Sequence, residues 1–498
     1  MGFTTLDYFI VVAYLIGIAV IGLVSGGRQT SAREYFLGRK NIPWWAVCFA
    51  IVATETSTLT FISIPGLAYA TNLNFLQLTF GYLIGRVAIS VVLLPEYAKG
   101  DLVTAYQLLG QRFGPKMRNT ASLTFMGTRL LADGVRLYAT AIPLTLLLRG
   151  WKQFADVPSE QVYIVSIILL AGMTLVYTSI GGVRAVIWTD VLQMFIYLGG
   201  AIGAALVILN STGFPSLPGE KFSIIRTGLD LSWKDFVGTP YTLPASLLGG
   251  AFLSMASHGT DQIIVQRLLT VGTLSGSRKA LIGSGIIVIF QFALFLMIGA
   301  LLYGYYGGSS LQELGLHKGD EIFPKFIIEQ IPTGLSGLII AGLLAAAMST
   351  LSGSINSLAS ATMTDIYQPY FAKPTSVGNE LRLSRMASFF WCVLLVGVAI
   401  FFITNTSTFL VELALSIASV TYGGMLGAFL LAILFKQTAE KDAIVGFIAG
   451  IIVMTYLFAA TTVAWTWFTF IGTSTTMLVG VTSSLLFRAR RSDASQPA

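Results

Sequence analysis

Charged residues are scarce in this sequence. They make up 11% of its 498 residues, whereas 55% are hydrophobic and the mean hydropathy is +0.77. A soluble domain carries about 25% charged residues, so this composition excludes an ordinary soluble globule. Apolar runs of about 20 residues, long enough to cross a bilayer as a helix, recur from one end to the other. The sequence therefore predicts an all-α membrane protein embedded in the lipid bilayer.

Cysteine is nearly absent as well. Cys48 and Cys392 both fall inside predicted helices, which indicates packing residues rather than a disulfide or a metal cluster. No phosphate-binding loop, zinc motif or nucleophile elbow occurs, which argues against an enzyme. The net charge of +7 is accounted for by basic loops, so we expect no nucleic-acid partner.

Hydropathy and helix breakers predict thirteen membrane spans. They cover residues 5–26, 43–70, 74–97, 119–148, 160–180, 184–208, 241–259, 280–306, 323–364, 384–404, 408–435, 442–461 and 464–487. The ninth is too long for one straight helix, so its C-terminal part is expected to project into the cytoplasm. Most of the 30 Lys and Arg residues fall in alternate loops, which predicts an outside N-terminus and an inside C-terminus. With no cleavable signal, this pattern indicates a bacterial inner membrane.

Four polar stretches interrupt the apolar spans: ATETSTLT (53–60), IWTDVLQ (187–193), SMASHGTDQ (254–262) and AAAMSTLSGSINS (345–357). The first and third lie five spans apart and so cross the membrane in opposite directions. That is typical of two inverted five-helix repeats, each opening with an interrupted helix whose freed carbonyls bind ions and solute. A single hydroxyl there is more often a packing residue, but Glu55 is a membrane carboxylate and hence a site candidate.

These spans and breaks divide the chain into five predicted segments. They are an extra N-terminal helix with its loop (1–40), a first repeat (41–208), an extracellular loop (209–240), a second repeat (241–435), and C-terminal helices with a short tail (436–498). Sodium suits the freed carbonyl and hydroxyl oxygens, because it is a hard cation. We therefore expect sodium to be the coupled ion.

Several motifs extend this pattern along most of the chain: YFLGRKNIPWWAV (35–47), SIPGLAY (63–69), YTSIGGVRAVIWTDVLQ (177–193), GTDQIIVQR (259–267), GLLAAAMSTLSGSINSLAS (342–360) and TDIYQPY (364–370). In these motifs the sequence resembles the solute:sodium symporter family, which includes the proline, glucose, sialic acid, iodide and vitamin symporters. The resemblance implies the leucine-transporter-like fold of inverted repeats with flanking helices. It is specific for the family and does not identify the solute.

The resemblance also implies a main sodium site and a second, doubtful one. By position the main site takes the carbonyls of Ala53, Thr56 and Ala346 and the hydroxyls of Ser349 and Thr350. A second sodium in some members lies between residues matching Asp190 and Ser352. Gly353 lacks the side-chain oxygen that those members carry there, so we expect one sodium per solute.

Solute contacts are implied in the same way. The matching positions are Glu55, Ser57, Thr60, Phe75, Gln77, Thr79 and His258. Sialic acid symporters have an arginine where this chain has Ala132, which disfavours sialic acid. Glu55 matches an essential aspartate of the proline symporters. We expect its carboxylate to lie near both sodium and solute, and Glu55→Gln to weaken sodium binding with the fold intact.

The fourth predicted span carries Arg129, Asp133 and Arg136, which are spaced to share one helical face. One interpretation is an internal ion cluster that locks helices together, and it is favoured because paired charges are how membrane cores tolerate ionisable groups. The other is an anion-binding guanidinium in the solute path. For this second interpretation, Asp133 and Arg136 are retained as candidate solute residues.

Together these features predict a monomeric sodium symporter that imports a small polar organic solute by alternating access. A sugar, a polyol or an amino acid is the expected solute. A monocarboxylate or other organic anion, or a transporter-like sensor, is the alternative.

Overall fold

The computed structural model describes residues 4–27, 29–100, 102–215, 217–316, 319–371, 377–404 and 410–493. The outer ends of the first and last predicted segments, 1–3 and 494–498, lie outside these residues. Within the described ranges the chain is helical and contains no strand. The helices are α1 Thr5–Gly26, α2 Ala32–Leu37, α3 Trp44–Glu55, α4 Thr58–Ala70, α5 Leu76–Val92, α6 Leu94–Lys99, α7 Tyr106–Arg112, α8 Pro115–Arg149, α9 Lys152–Ala155, α10 Ser159–Thr212, α11 Trp233–Gly238, α12 Gly250–Gly259, α13 Gln262–Leu269, α14 Leu274–Tyr305, α15 Ile322–Gln330, α16 Leu335–Ala361, α17 Gln368–Phe371, α18 Val377–Thr404, α19 Leu410–Leu434, α20 Glu440–Ala460 and α21 Phe468–Asp493.

Candidate membrane-spanning helices can be counted in the structure by their length and apolar composition. Ten helices in the described ranges are long and apolar enough to cross a membrane, or eleven when the bent pair α3 and α4 is taken as one span. The predicted count of thirteen is therefore not confirmed. Part of the difference lies in α10, whose 54 residues include both predicted spans 160–180 and 184–208, and these meet at a break at Gly182, where φ is 58°. The short helices α12 and α13 account for another part, since neither is long enough to span alone.

Both predicted helix breaks are present. The axes of α3 and α4 differ by 62° across Thr56 and Ser57, and α12 and α13 are separated by Thr260 and Asp261. Each new helix begins at a residue with extended backbone whose side chain caps it: Ser57 accepts from the Thr60 N–H, and Asp261 accepts from the Ile263 N–H at 3.0 Å. Such capping satisfies backbone donors that a helix start leaves free.

The predicted ninth span is two helices. Residues around Pro332 and Gly334 separate α15 from α16, and Gly334 has a φ of 87°, which favours glycine. Helix α16 then continues through a π-helical turn, Thr362–Tyr367, into α17. The apparent excess length of the predicted span thus arises partly from merging α15 with α16.

The start of α16 is held by a residue of α1. Asp7 Oδ1 accepts hydrogen bonds from the Gly334 N–H at 2.8 Å, the Gly337 N–H at 2.9 Å and the Ser336 hydroxyl at 2.6 Å. Asp7 is buried, and its negative charge faces the positive end of the α16 dipole. The extra N-terminal helix therefore caps the helix that carries the predicted sodium ligands.

We predict that Asp7→Ala lowers the melting temperature of the purified protein. Loss of a capping side chain costs about 0.5–2 kcal/mol. Asp230→Ala is the matched control, because Asp230 makes an exposed ion pair with Arg226 at 2.7 Å in the loop after α10. Equal melting temperatures for the two variants would contradict the capping role.

Candidate functional site

The first helix break releases backbone carbonyls. The last backbone hydrogen bond of α3 runs from the Thr56 N–H to the Val52 carbonyl, and the first of α4 runs from the Phe61 N–H to the Ser57 carbonyl. The carbonyls of Ala53 and Thr56 lie between these two bonds and take no part in the helical ladder. Both residues are fully buried. Two carbonyl oxygens of the predicted main sodium site are thus available for a ligand.

Helix α16 brings the other predicted sodium ligands to this break. The Thr350 hydroxyl donates to the Ala346 carbonyl at 3.2 Å and lies 3.4 Å from the Thr54 carbonyl of α3. Ser349 Oγ is buried and has no hydrogen-bond partner among the described residues. A buried hydroxyl without a partner is uncommon, and an oxygen-binding cation would satisfy it. These oxygens fit sodium, which the transport cycle would carry as a substrate.

A cavity of about 130 Å³ opens beside the break. Helices α3, α4, α5, α8, α12, α13, α14, α16 and α19 all contribute to its wall. Predicted solute residues that line it are Glu55, Ser57, Thr60, Phe75, Arg136 and His258. Asp133 lines a smaller adjoining cavity together with Ser57 and Arg136. The structure therefore brings together most of the residues that the sequence proposed for the solute.

Gln77 and Thr79 are not part of this cavity. Gln77 donates to the Tyr241 carbonyl at 3.0 Å and accepts from the Arg226 N–H at 3.2 Å, so its amide holds the loop between α10 and α12. The Thr79 hydroxyl donates to the Leu76 carbonyl of its own helix at 2.7 Å. Both side chains are buried in these contacts. The prediction for these two residues finds no support in the structure, because α5 presents other positions to the cavity.

Glu55 has a partner that the sequence analysis did not assign. Arg86 of α5 is completely buried, and its guanidinium donates to the Glu55 carboxylate and, at 2.6 Å, to the Ser284 hydroxyl. His258 Nε2 lies 3.5 Å from the same carboxylate and has no hydrogen-bond partner within the part of the chain that the structure describes. An arginine inside a membrane span requires an anionic partner, and that requirement was the signal in the sequence. Which carboxylate is the partner is decided by the tertiary structure.

The cluster on α8 extends beyond the predicted triad. Arg129 donates to Asp261 at the second break, to the Tyr422 hydroxyl at 2.7 Å and, at 3.4 Å, to Asp133. Arg136 donates to Asp133 at 2.8 Å. Arg129 thus connects α8 with the second interrupted helix and with α19, as the interpretation of an internal ion cluster expects. The Arg136 guanidinium has no other partner among the described residues and faces the cavity.

The residues predicted for a second sodium both have partners within the protein. Asp190 Oδ2 accepts from Arg267 Nη2 at 2.9 Å, so its charge is already paired. The Ser352 hydroxyl donates to the Ser349 carbonyl at 3.0 Å. Sequence reasoning did not include Arg267, although it ends the quoted motif GTDQIIVQR.

Comparisons with known proteins identify the family of this fold. A protein-family model described as "Sodium:solute symporter family" matches residues 35–450 of this chain. A sodium/sialic acid symporter of Aliivibrio fischeri is 29% identical over 98% of this chain and 94% of its own length. Sodium-coupled monocarboxylate transporter 1 of Xenopus laevis is 27% identical over 90% of this chain and 71% of its own.

A solved structure of a sodium-coupled sialic acid symporter, in a substrate-bound outward-open state, has the same fold. It superposes with a TM-score of 0.83 at 26% identity, covering 97% of this chain and 98% of that one. The matched proteins are transporters, which confirms the expectation that this chain is not an enzyme. They also confirm sodium as the coupled ion.

We predict that Ser349→Ala and Thr350→Ala each raise the sodium concentration needed for half-maximal thermal stabilisation. Each change removes one oxygen from the sodium site. Thr140→Ala is the control, because its hydroxyl contacts Thr58 at 3.3 Å and the Arg136 carbonyl at 2.8 Å without belonging to the proposed sodium ligands. Sodium dependence identical to the parent in both site variants would refute the ligand assignment.

The ion pair between Glu55 and Arg86 changes the expected effect of Glu55→Gln, which the sequence alone predicted to leave the fold intact. Removing one partner of a buried ion pair costs about 3–5 kcal/mol, because the other charge stays buried without compensation. We therefore predict that Glu55→Gln and Arg86→Met each lower the melting temperature strongly, and that the double variant recovers part of the loss. Additive losses in the double variant would show that the two side chains do not stabilise each other.

Proposed function

We propose that this chain, which belongs to the sodium:solute symporter family and co-transports sodium with a solute, carries a small organic carboxylate as that solute. The observation that carries this proposal is the charge balance of the cavity. The sequence analysis named organic anions as the alternative to sugars, polyols and amino acids, and the comparisons do not confirm those expected solutes.

The ionised groups around the cavity cancel one another. Three carboxylates face three guanidinium groups: Glu55, Asp133 and Asp261 against Arg86, Arg129 and Arg136. The proposed sodium ligands are carbonyl and hydroxyl oxygens and carry no charge. A bound sodium therefore leaves the site with one excess positive charge in a low-dielectric surrounding. A solute with a single negative charge restores neutrality, whereas a neutral sugar does not.

Arg136 is the side chain best suited to hold that negative charge. A guanidinium carries five N–H donors, and Arg129 uses its own on Asp261, Asp133 and Tyr422. Arg136 uses one nitrogen on Asp133, and 21% of its side chain remains exposed. A forked donor group with free N–H bonds matches the geometry of a carboxylate. His258 Nε2, buried and without a hydrogen-bond partner, offers a further polar contact.

The size and lining of the cavity favour a solute in which the carboxylate is attached to a short apolar chain. An apolar protein cavity of about 150 Å³ accommodates benzene, so about 130 Å³ suits a solute of a few carbon atoms. Phe75, Phe292, Leu253 and Ile264 form apolar parts of the wall. The names of the relatives include acids as solutes, sialic acid and monocarboxylates, and the smaller kind fits this volume better.

An amino acid is the second candidate, because it also bears a carboxylate. Its ammonium group would need an anion, and the nearest, Glu55, is already paired with Arg86. We retain the predicted orientation, with the N-terminus outside, a bacterial inner-membrane location and a monomeric state as parts of the proposal. The transporter-like sensor is disfavoured because coupled transport is what the family does.

We predict that proteoliposomes containing the protein take up propionate or pyruvate when a sodium gradient is imposed, and take up less glucose and proline. Arg136→Gln should raise the half-saturating carboxylate concentration about tenfold or more, since a hydrogen bond to a charged group contributes about 1.5–3 kcal/mol. Arg226→Gln is the control, because Arg226 lies in an exposed ion pair outside the cavity. Sodium-driven uptake of proline or glucose without uptake of propionate or pyruvate would refute the proposal.

A further inference from the structure

A groove of about 550 Å³ lies on the outer surface between α10 and α18, away from the solute cavity. Ser179 of α10 forms part of its wall. The rest of the wall is a stripe of α18 residues spaced three and four apart, so that they share one helical face. These residues are Arg382, Arg385, Met386, Phe389, Phe390 and Val393.

The two walls of the groove are joined by Tyr35 of α2. Its buried hydroxyl donates to the Thr178 carbonyl of α10 at 3.1 Å and lies 3.1 Å from the Ser388 hydroxyl of α18. Thr178 and Ser388 directly precede Ser179 and Phe389, which line the groove. The separation of the walls is therefore fixed by contacts within the protein.

The polar and apolar parts of the groove are separated along α18. Arg382 and Arg385 lie in the first two turns of the apolar segment Asn379–Thr404, at the end that the proposed orientation places in the cytoplasm. Phe389 and Val393 follow, and each is more than half exposed. The helix rises about 16 Å from Arg382 to Val393, which is close to the hydrocarbon thickness of one leaflet. The groove therefore runs from the headgroup level into the acyl-chain level.

The positive charge of the groove is not compensated by the protein. Neither Arg382 nor Arg385 forms a hydrogen bond or an ion pair with another residue in the described ranges, and both are exposed. No acidic residue is among the described residues that line the groove. Guanidinium groups are forked donors that match phosphate oxygens. A second copy of the chain seated on this face would bring like charges together, so we disfavour it as the occupant.

We propose that this groove is a binding site for one anionic phospholipid of the cytoplasmic leaflet. The phosphate lies between Arg382 and Arg385, and an acyl chain lies along Met386, Phe389 and Val393. Basic pockets at the cytoplasmic end of membrane helices recognise anionic headgroups, and the apolar stripe adds a requirement for an acyl chain. This site is independent of the solute and sodium sites, and it does not depend on the proposed function.

The test measures lipid binding to the purified full-length protein in dodecyl maltoside by native mass spectrometry. Dioleoyl phosphatidylglycerol and dioleoyl phosphatidylcholine carry the same acyl chains, so they differ only in the headgroup. We expect the parent protein to retain one phosphatidylglycerol in preference to phosphatidylcholine. Equal retention of the two lipids by the parent would overturn the proposal, and this measurement needs no variant.

The double variant R382Q/R385Q should weaken phosphatidylglycerol binding about 25-fold, because each cationic side chain near an anionic headgroup contributes about a factor of five. The matched control is R39Q/K99Q, which removes two positive charges that are paired with acidic neighbours outside the groove. This control should bind like the parent. An equal loss in both double variants, or a loss in neither, would show that the lipid does not use the groove.

Two further measurements distinguish the phospholipid from other occupants. Inorganic phosphate in large excess should not displace phosphatidylglycerol, and full displacement would show a site for free anions instead. Phe389→Ser should weaken phosphatidylglycerol binding, whereas Phe290→Ser, at an exposed position of α14 outside the groove, should not. A parent that is dimeric without lipid and monomeric as Phe389→Ser would assign the groove to a second copy and overturn the proposal.

Discussion

Two carboxylates, one at each helix break, bind arginine side chains from neighbouring helices. Glu55 ends α3 and is paired with Arg86 of α5, while Asp261 begins α13 and is paired with Arg129 of α8. Interrupting a helix inside a membrane leaves backbone polar groups without partners, and such groups are tolerated only within protein or along a cavity. The ion pairs fix each break against a continuous helix, and the freed carbonyls stay available for sodium.

Charge neutrality follows from the same pairs and constrains what the cavity can bind. Each guanidinium beside the cavity faces a carboxylate, so a bound sodium would be uncompensated without an anionic solute. Binding of either ligand would then strengthen binding of the other, and this coupling is reciprocal. The separate pair of Asp190 and Arg267 is neutral as well. Electrostatics in a low-dielectric interior thus connects the choice of solute with the binding of sodium.

The local sequence determined where the helices break and which oxygens can meet there. The stretch ATETSTLT places hydroxyls and a carboxylate inside an apolar run, and a helix in lipid does not retain such groups without a functional reason. Ser349 and Thr350 follow Ala346 by about one helical turn, so their position on one face of α16 was also predictable. The number of spans was less accessible, because a long apolar run does not reveal the break at Gly334.

Only the tertiary structure decided how the ionisable groups pair. Arg86 and Glu55 are 31 residues apart, and Arg267 and Asp190 are 77 apart, so no helical periodicity connects them. Gly353 looked like a lost ligand in the sequence, whereas the structure places the Arg267 guanidinium in the vacant volume. Gln77 was assigned to the solute but holds a loop, because the rotation of α5 sets which side chains face the cavity. The sequence thus determined the ligand chemistry at each break, and the packing of distant helices decided which charges remained free to bind a ligand.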